Sequence, residues 1–503
     1  MPSFARTAVV AFALSALAAC GTTVPASGTA AVSGDGLGLS PGGGPSASAA
    51  GTSTDQGTGD GAATTGAGMG SGTSSLPRTG ASTPTTDAAG STVNEPRALG
   101  GTTPITIGIP YADSSQSNAV LGSIGQGLAG ADVKQVWNLL IGDLNTHGGI
   151  RGHKVEPVYY QVNLTSNIAT EEAAACETFT HDHHVLAAVG DSSPGYARCV
   201  TRGGAALIDS SFTDGISDQY KGMSYVYQPG GIAQDHLMAV YGKVLNEMGY
   251  FTSTTPITLG VMYEDTPAYT KAEEILESSL TSLGIKVKVK EAFAPVQSEG
   301  DISRNQSQVQ AAVLKFRSAG VTHVIAVENN AWLIGFFGVG AASQGYYPRY
   351  GYDSNEVLSN VATNVPAKAL TGSVFLGYYP PYDTLDTSKF TPAGKACLAL
   401  LHRKGYNPPT TGNGYHDVLT ACDDLRFLEA GLNAAPVGMG ISRSALAAGV
   451  KTLGTTYSSA VTFKTEFTTG LGFVDGVAGY RKGKWDEGCQ CFAYTSGNIP
   501  FPR

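Results

Sequence analysis

The residues best suited to chemistry are Asp191-Ser192-Ser193-Pro194-Gly195, directly after the apolar run VLAAVG at 185–190. Ser193 is of a type preferred at a helix N-cap and Pro194 of a type preferred in the first turn, so a helix is predicted to open there. Two serine hydroxyls and free backbone N–H groups at the positive end of a helix make a ready site for a carboxylate. A plain helix cap uses the same residues with no ligand.

Covalent chemistry finds less support. The chain has no G-x-S-x-G elbow, no H-E-x-x-H and no Walker-type phosphate loop, which points to a non-enzymatic protein without a cofactor. His181-Asp182-His183-His184 carries metal-ligand residue types, but it falls between a predicted helix and a strand start, where polar residues face solvent; no metal is assigned. Of seven cysteines, Cys20 stands apart, and the other six read as disulfides if the chain is exported. About fifteen pairings are open to six cysteines. Short separations favour Cys176–Cys199, Cys397–Cys422 and Cys489–Cys491, the last as a strained C-x-C ring. A zinc site is the weaker alternative, because no C-x-x-C is present.

The elements that must position these residues alternate from Ile105 onward. ITIGIP is a buried-type strand. Val133, Val136, Trp137, Leu140, Ile141 and Leu144 recur at helical spacing, and Gly148-Gly149 stop that helix. HKVEPVYYQV, VLAAVG and AALIDSS are the next strands, separated by helices around Cys176 and from Pro194. After Gln228-Pro229-Gly230-Gly231 the alternation starts again: a helix along 237–248, ITLGVMY, a helix over 267–283, KVKVKEAFA, a helix over 302–319, THVIAVEN, and a helix from Ala331. Two consecutive βαβ halves predict an α/β protein with two doubly wound parallel-sheet lobes. Ligands in such folds sit outside the carboxyl ends of the strands, so two facing lobes would enclose a cleft.

Cys20 follows Leu17-Ala18-Ala19 and precedes Gly21. Upstream, Arg6 supplies a positive charge and Ala8 to Leu17 are apolar apart from Ser15. That stretch suits a signal peptide and is too short for a bilayer, which takes ~20 residues. L-A-A-C resembles the bacterial lipobox, implying cleavage before Cys20 and a lipid on its sulfur, so residues 1–19 read as a signal peptide. Residues 20–102 are Gly, Ser, Thr, Ala and Pro-rich, with no aromatic residue between Cys20 and Tyr111. Such a segment cannot offset its chain entropy by burial and is expected to be a disordered tether of ~50 Å reach. A net charge of −9 and pI near 5.5 argue against nucleic acid as a partner.

The phrase DLNTHGGIRGHKVEPV, from Asp143 to Val158, resembles the signature of the type I periplasmic binding proteins of the branched-chain amino acid ABC transporter class: an Asn, then Gly-Gly-Ile, a further Gly and a strand. The order of elements over about 103–490, the cysteine loop 176–199, and Phe463 followed by GYRKGKW at 479–485 agree with it. The resemblance implies a hinged two-lobe receptor whose chain crosses between lobes three times, near 228–231, 350–355 and 456–462. Lobe 1 would then be 103–228 with 353–455, and lobe 2 229–352 with 456–503. It implies that Ser192 or Ser193 meets a ligand carboxylate, that Ser211, Phe212 and Thr213 continue that site, that Tyr269 covers the solute, and that Glu299 meets an ammonium. Tyr352 and Asp353, at the second expected crossing, would line the cleft. The family's cysteine often directly precedes the serines, whereas Cys199 lies six residues after Ser193. The function so implied is capture of an amino acid or similar carboxylate by a lipid-anchored, extracytoplasmic monomer that delivers it to an ABC transporter permease. A ligand-sensing receptor of the same fold, signalling to a partner protein, is the alternative.

Overall fold

The computed structural model describes residues 98–113, 115–116, 130–253, 256–328, 332–410, 414–467 and 474–502. The expected signal peptide, Cys20 and the expected tether up to residue 97 lie outside the described residues. The chain is docked slightly earlier than the expected start at 103, since the Leu99 N–H donates to the Ile441 carbonyl at 2.8 Å.

Strands β1 (Ile105–Ala112), β2 (Val155–Val162), β3 (Ala187–Val189), β4 (Ala206–Ile208) and β5 (Val226–Tyr227) form one sheet in the order β2-β1-β3-β4-β5, all parallel. β3 and β4 are short and wholly buried, as strands covered on both faces must be. Between the strands run α1 (Val133–Thr146), α2 (Ile168–Glu177), α3 (Pro194–Arg202) and α4 (Ser217–Tyr220). α1 buries Val136, Trp137, Leu140 and Ile141, the stripe its spacing predicts. The Gly-Gly-Ile signature that follows is a steric requirement. Gly149 sits at φ 68°, and a Cβ there would lie 2.0 Å from the carbonyl oxygen of His153, whose backbone bridges to Ile150.

The second sheet repeats the order. Strands β6 (Leu259–Glu264), β7 (Val287–Phe293), β8 (His323–Val327), β9 (Arg349–Asp353) and β10 (Val374–Gly377) run β7-β6-β8-β9-β10, all parallel. β11 (Gly479–Asp486) and β12 (Cys491–Tyr494) extend it antiparallel, and β13 (Ile499–Pro500) pairs with β11. Helix α5 (Gln234–Glu247) packs with α6 (Pro267–Ser282), and α7 (Glu299–Ser318) with α8 (Trp332–Ser343). Two doubly wound lobes are therefore present. Among the described residues, no helix is long and apolar enough to cross a membrane.

One boundary moves. Placing 353–455 in the first lobe puts β10 there, but Val374, Phe375 and Leu376 pair in parallel with Gly351, Tyr352 and Asp353 of β9. The chain stays with the second sheet through the short helices α9 (Leu358–Asn364) and α10 (Ala367–Leu370), and leaves it at Tyr378-Tyr379. A four-residue apolar strand is too short to announce itself by period. Beyond it come α11 (Pro380–Asp383), α12 (Pro392–Arg403), α13 (Gly414–Ala434) and α14 (Arg443–Leu453); α13 packs on α1 and α14. The crossing segments lie side by side: the Gly476 N–H donates to the Gln228 carbonyl and the Val477 N–H to that of Gly231, both at 3.1 Å, while the Thr462 hydroxyl donates to the Tyr378 carbonyl at 2.9 Å. A Cβ at Gly476 would sit 2.3 Å from the Gln228 oxygen, so only glycine lets these strands touch. The six cysteines form Cys176–Cys199, Cys397–Cys422 and Cys489–Cys491.

Candidate functional site

The carboxyl end of β3 leads into a turn with Gly190 and Asp191 both left-handed, at φ 67° and 57°. Asp tolerates that conformation better than most residues. Ser193 then caps α3: its hydroxyl accepts from the Tyr196 N–H at 3.2 Å. The same hydroxyl donates to Glu172 Oε2 of α2 at 2.9 Å, and the Ser193 N–H donates to Asp191 Oδ1 at 2.9 Å. Two of the chain's own carboxylates thus occupy this helix start.

The facing wall comes from the second lobe. Thr266 caps α6, accepting from the Tyr269 N–H at 3.2 Å. The Tyr269 hydroxyl donates across the cleft to Asp214 Oδ1 at 3.0 Å, and the Ile168 N–H donates to the Gln297 carbonyl at 3.0 Å. These contacts join the lobes around a cavity of about 300 Å³, whose polar lining includes Glu172, Ser193, Asp214, Glu264, Tyr269 and Gln297. Ile168, Ala169, Pro267, Ala268, Pro295 and Val296 are its apolar wall.

Partial burial in the cleft raises its carboxyls. Burial pushes Asp214 up to about 7, against the lowering effect of the Tyr269 hydrogen bond. Burial, then the nearby Asp214 charge, pushes Glu264 up to about 8. Asp191 and Glu172 are also held above the usual carboxylate range, first by desolvation and, for Asp191, next by the Glu172 charge beside it. Such shifts concentrate at functional clefts.

No protein-family model and no curated protein sequence matches the chain. Solved structures do. The branched-chain amino acid transporter substrate-binding protein of Streptococcus pneumoniae, in complex with isoleucine, aligns at TM-score 0.55 and 17% identity, over 79% of this chain and 100% of that one. A fatty acid ABC transporter substrate-binding protein from Thermomonospora curvata aligns at 0.56 and 16%, over 79% and 92%. An ABC transporter solute-binding protein from R. palustris, in complex with 4-hydroxybenzoate, aligns at 0.57 and 14%, over 79% and 98%. The fold is that of the type I periplasmic binding proteins.

Within this periplasmic binding fold, the residues singled out from sequence scatter. Ser193 and Tyr269 line the cavity. Ser192 is buried behind it, its hydroxyl donating to the Phe212 carbonyl at 3.0 Å and its carbonyl accepting from the Tyr220 hydroxyl at 2.5 Å. The Ser211 hydroxyl donates to Asp209 at 2.7 Å, and the Thr213 hydroxyl donates to Gln228 Oε1 at 2.6 Å at the first crossing. Phe212 stacks on Tyr382 with ring centres 5.0 Å apart. Tyr352 is enclosed in the second lobe against Tyr350 and Phe492, and Asp353 caps the turn after β9 by accepting from the Asn355 N–H at 2.8 Å. Ser211, Phe212, Thr213, Tyr352 and Asp353 do not line this cavity. Glu299 begins α7, and its side chain lies outside the described residues.

Three cavity carboxylates escaped the sequence reading. Glu264 ends β6 at the carboxyl edge where doubly wound sheets bind ligands, and that rule would have found it. Asp214 directly follows Thr213. Glu172 is placed only by the packing of α2 against α3, for which the sequence holds no signal.

Proposed function

We propose that the chain is an extracytoplasmic solute-binding receptor that closes its two lobes on a small polar organic solute and hands it to an ABC transporter. The observation that carries this reading is the cavity at the carboxyl ends of both sheets, spanned by the Tyr269–Asp214 hydrogen bond. A contact that exists only when the lobes meet favours the closed state, and a solute held by both walls adds its differential affinity to the same equilibrium. A volume of about 300 Å³ suits a metabolite and excludes a macromolecule. The solved neighbours are ABC transporter substrate-binding proteins that take amino acids, a fatty acid or 4-hydroxybenzoate, which supports the transport role. Lipidation at Cys20 and the tether would keep such a receptor, acting as a monomer, beside its permease.

The full chain, screened by thermal shift against several hundred amino acids, amines and organic acids, should gain several degrees with one class of solute. No stabilisation by any of them would defeat the receptor reading. Cys20→Ser should abolish incorporation of labelled fatty acid and release the protein from the membrane fraction.

A further inference from the structure

We propose that the cleft takes a small organic cation, an aliphatic di- or polyamine, and not a carboxylate. This rests on the solute-binding reading and names the substrate class of the same site.

The N-terminus of α3, where a ligand carboxylate would sit, is already filled. Asp191 Oδ1 holds the Ser193 N–H at 2.9 Å, and Glu172 Oε2 holds the Ser193 hydroxyl at 2.9 Å. A ligand carboxylate would have to displace both and then lie among like charges. The cavity adds Asp214 and Glu264 to Glu172, while no Lys, Arg or His among the described residues lines it. Asp209 and Glu328 contribute further negative charge from behind. Glu264 lines the cavity half-buried at the carboxyl end of β6, and no hydrogen-bond donor reaches its carboxylate among the described residues.

Carboxylates drawn partly out of water are costly to leave charged, and proteins pair them or let them take up protons. Here the raised carboxyls show the second response. An ammonium group on the solute supplies the first, with donors to spare for oxygens on both walls. The apolar wall of Ile168, Ala169, Pro267, Ala268, Pro295 and Val296 then covers the methylenes between two ammonium groups. A metal ion would leave that wall without a partner. Binding a cation lowers the raised carboxyls, so at pH 7 the complex should release protons.

The test is calorimetry on the full chain with 1,4-diaminobutane and spermidine as probes, and with isoleucine and succinate as controls. A diamine or spermidine that binds at least tenfold tighter than either control, with heats in buffers of different ionisation enthalpy reporting proton release, supports the inference. Succinate or isoleucine binding as tightly as the amines, or more tightly, overturns it and leaves the receptor reading standing. Binding by no probe here, together with no hit in the wide solute screen, would instead defeat the receptor reading. Glu264→Gln should weaken the amine tenfold or more, and Asp214→Asn serves as a second variant with its own thermal melt to confirm folding. Unchanged amine affinity in both folded variants also overturns the proposal.

Discussion

Two cavities of similar size carry opposite charge. The interlobe cleft encloses about 300 Å³ among Glu172, Asp214 and Glu264. A second, of about 370 Å³, lies beside the third crossing, lined by Lys389, Lys464 and Arg481 with no acidic residue among its lining. Charge alone does not separate site from scaffold; satisfaction does. Arg481 Nε donates to Asn498 Oδ1 at 2.6 Å, and its guanidinium lies 3.8 Å from the centre of the Phe463 ring. Lys389 and Lys464 are exposed, where water screens them. Every cation of the second cavity is either partnered or wet. In the cleft, by contrast, Glu264 is half-buried, no donor reaches its carboxylate among the described residues, and its neighbours are acids.

A disulfide stands behind one wall of each cavity, which allows the sharpest break of this comparison. Cys176–Cys199 ties α2 to α3, the helices that carry Glu172 and Ser193, while Cys397–Cys422 ties α12 to α13 behind Thr391 and Pro392 of the second cavity. Replacing either pair by serine should cost ~2–4 kcal/mol in denaturant unfolding. Solute affinity should fall with the first pair and stay unchanged with the second; equal losses would show that the two regions are not separable.

Next in size is the pH dependence of the unliganded chain. Asp214 at about 7 and Glu264 at about 8 hold protons in the folded state that the unfolded chain gives up near the ordinary carboxylate range of ~4. Their contribution is fully present below that range and is lost as pH rises through 7 to 8. The melting temperature should therefore fall between pH 5 and 8, and fall less steeply in a Glu264→Gln, Asp214→Asn double variant. Lys464→Ala in the second cavity should leave the slope untouched. An unchanged slope in the double variant would place the pH dependence elsewhere.

Much of the fold was open to the sequence because its elements are periodic and long. The stripe of α1, the ITLGVMY strand ending at Glu264 and the helix from Pro267 all lie within a residue or two of their expected places. β10 was missed because four buried residues carry no period, and with it the second crossing shifted from 353 to Tyr378. The site was harder to read for a different reason. Ser192, Ser193, Ser211 and Thr213 have the right types, but what a hydroxyl does depends on the partner that folding brings to it. Glu172, twenty-one residues before Ser193, takes one hydroxyl, and Gln228 takes another. No spacing rule encodes those meetings.

Two smaller effects complete the contrast. Tyr269→Phe removes the donor that spans the cleft to Asp214, a hydrogen bond to a carboxylate worth ~1.5 kcal/mol or more. Affinity should drop about tenfold, more at pH 8 than at pH 6, because a protonated Asp214 is a weaker acceptor. Arg481→Ala strips the second cavity of its ring-stacked guanidinium and should cost under ~1 kcal/mol of stability. Solute affinity, followed by calorimetry, should not change, since Arg481 holds β11 to its neighbours and touches nothing in the cleft. If instead Arg481→Ala weakened binding as strongly as Tyr269→Phe, the satisfied cavity would be coupled to closure through the third crossing, and satisfaction would no longer tell scaffold from site.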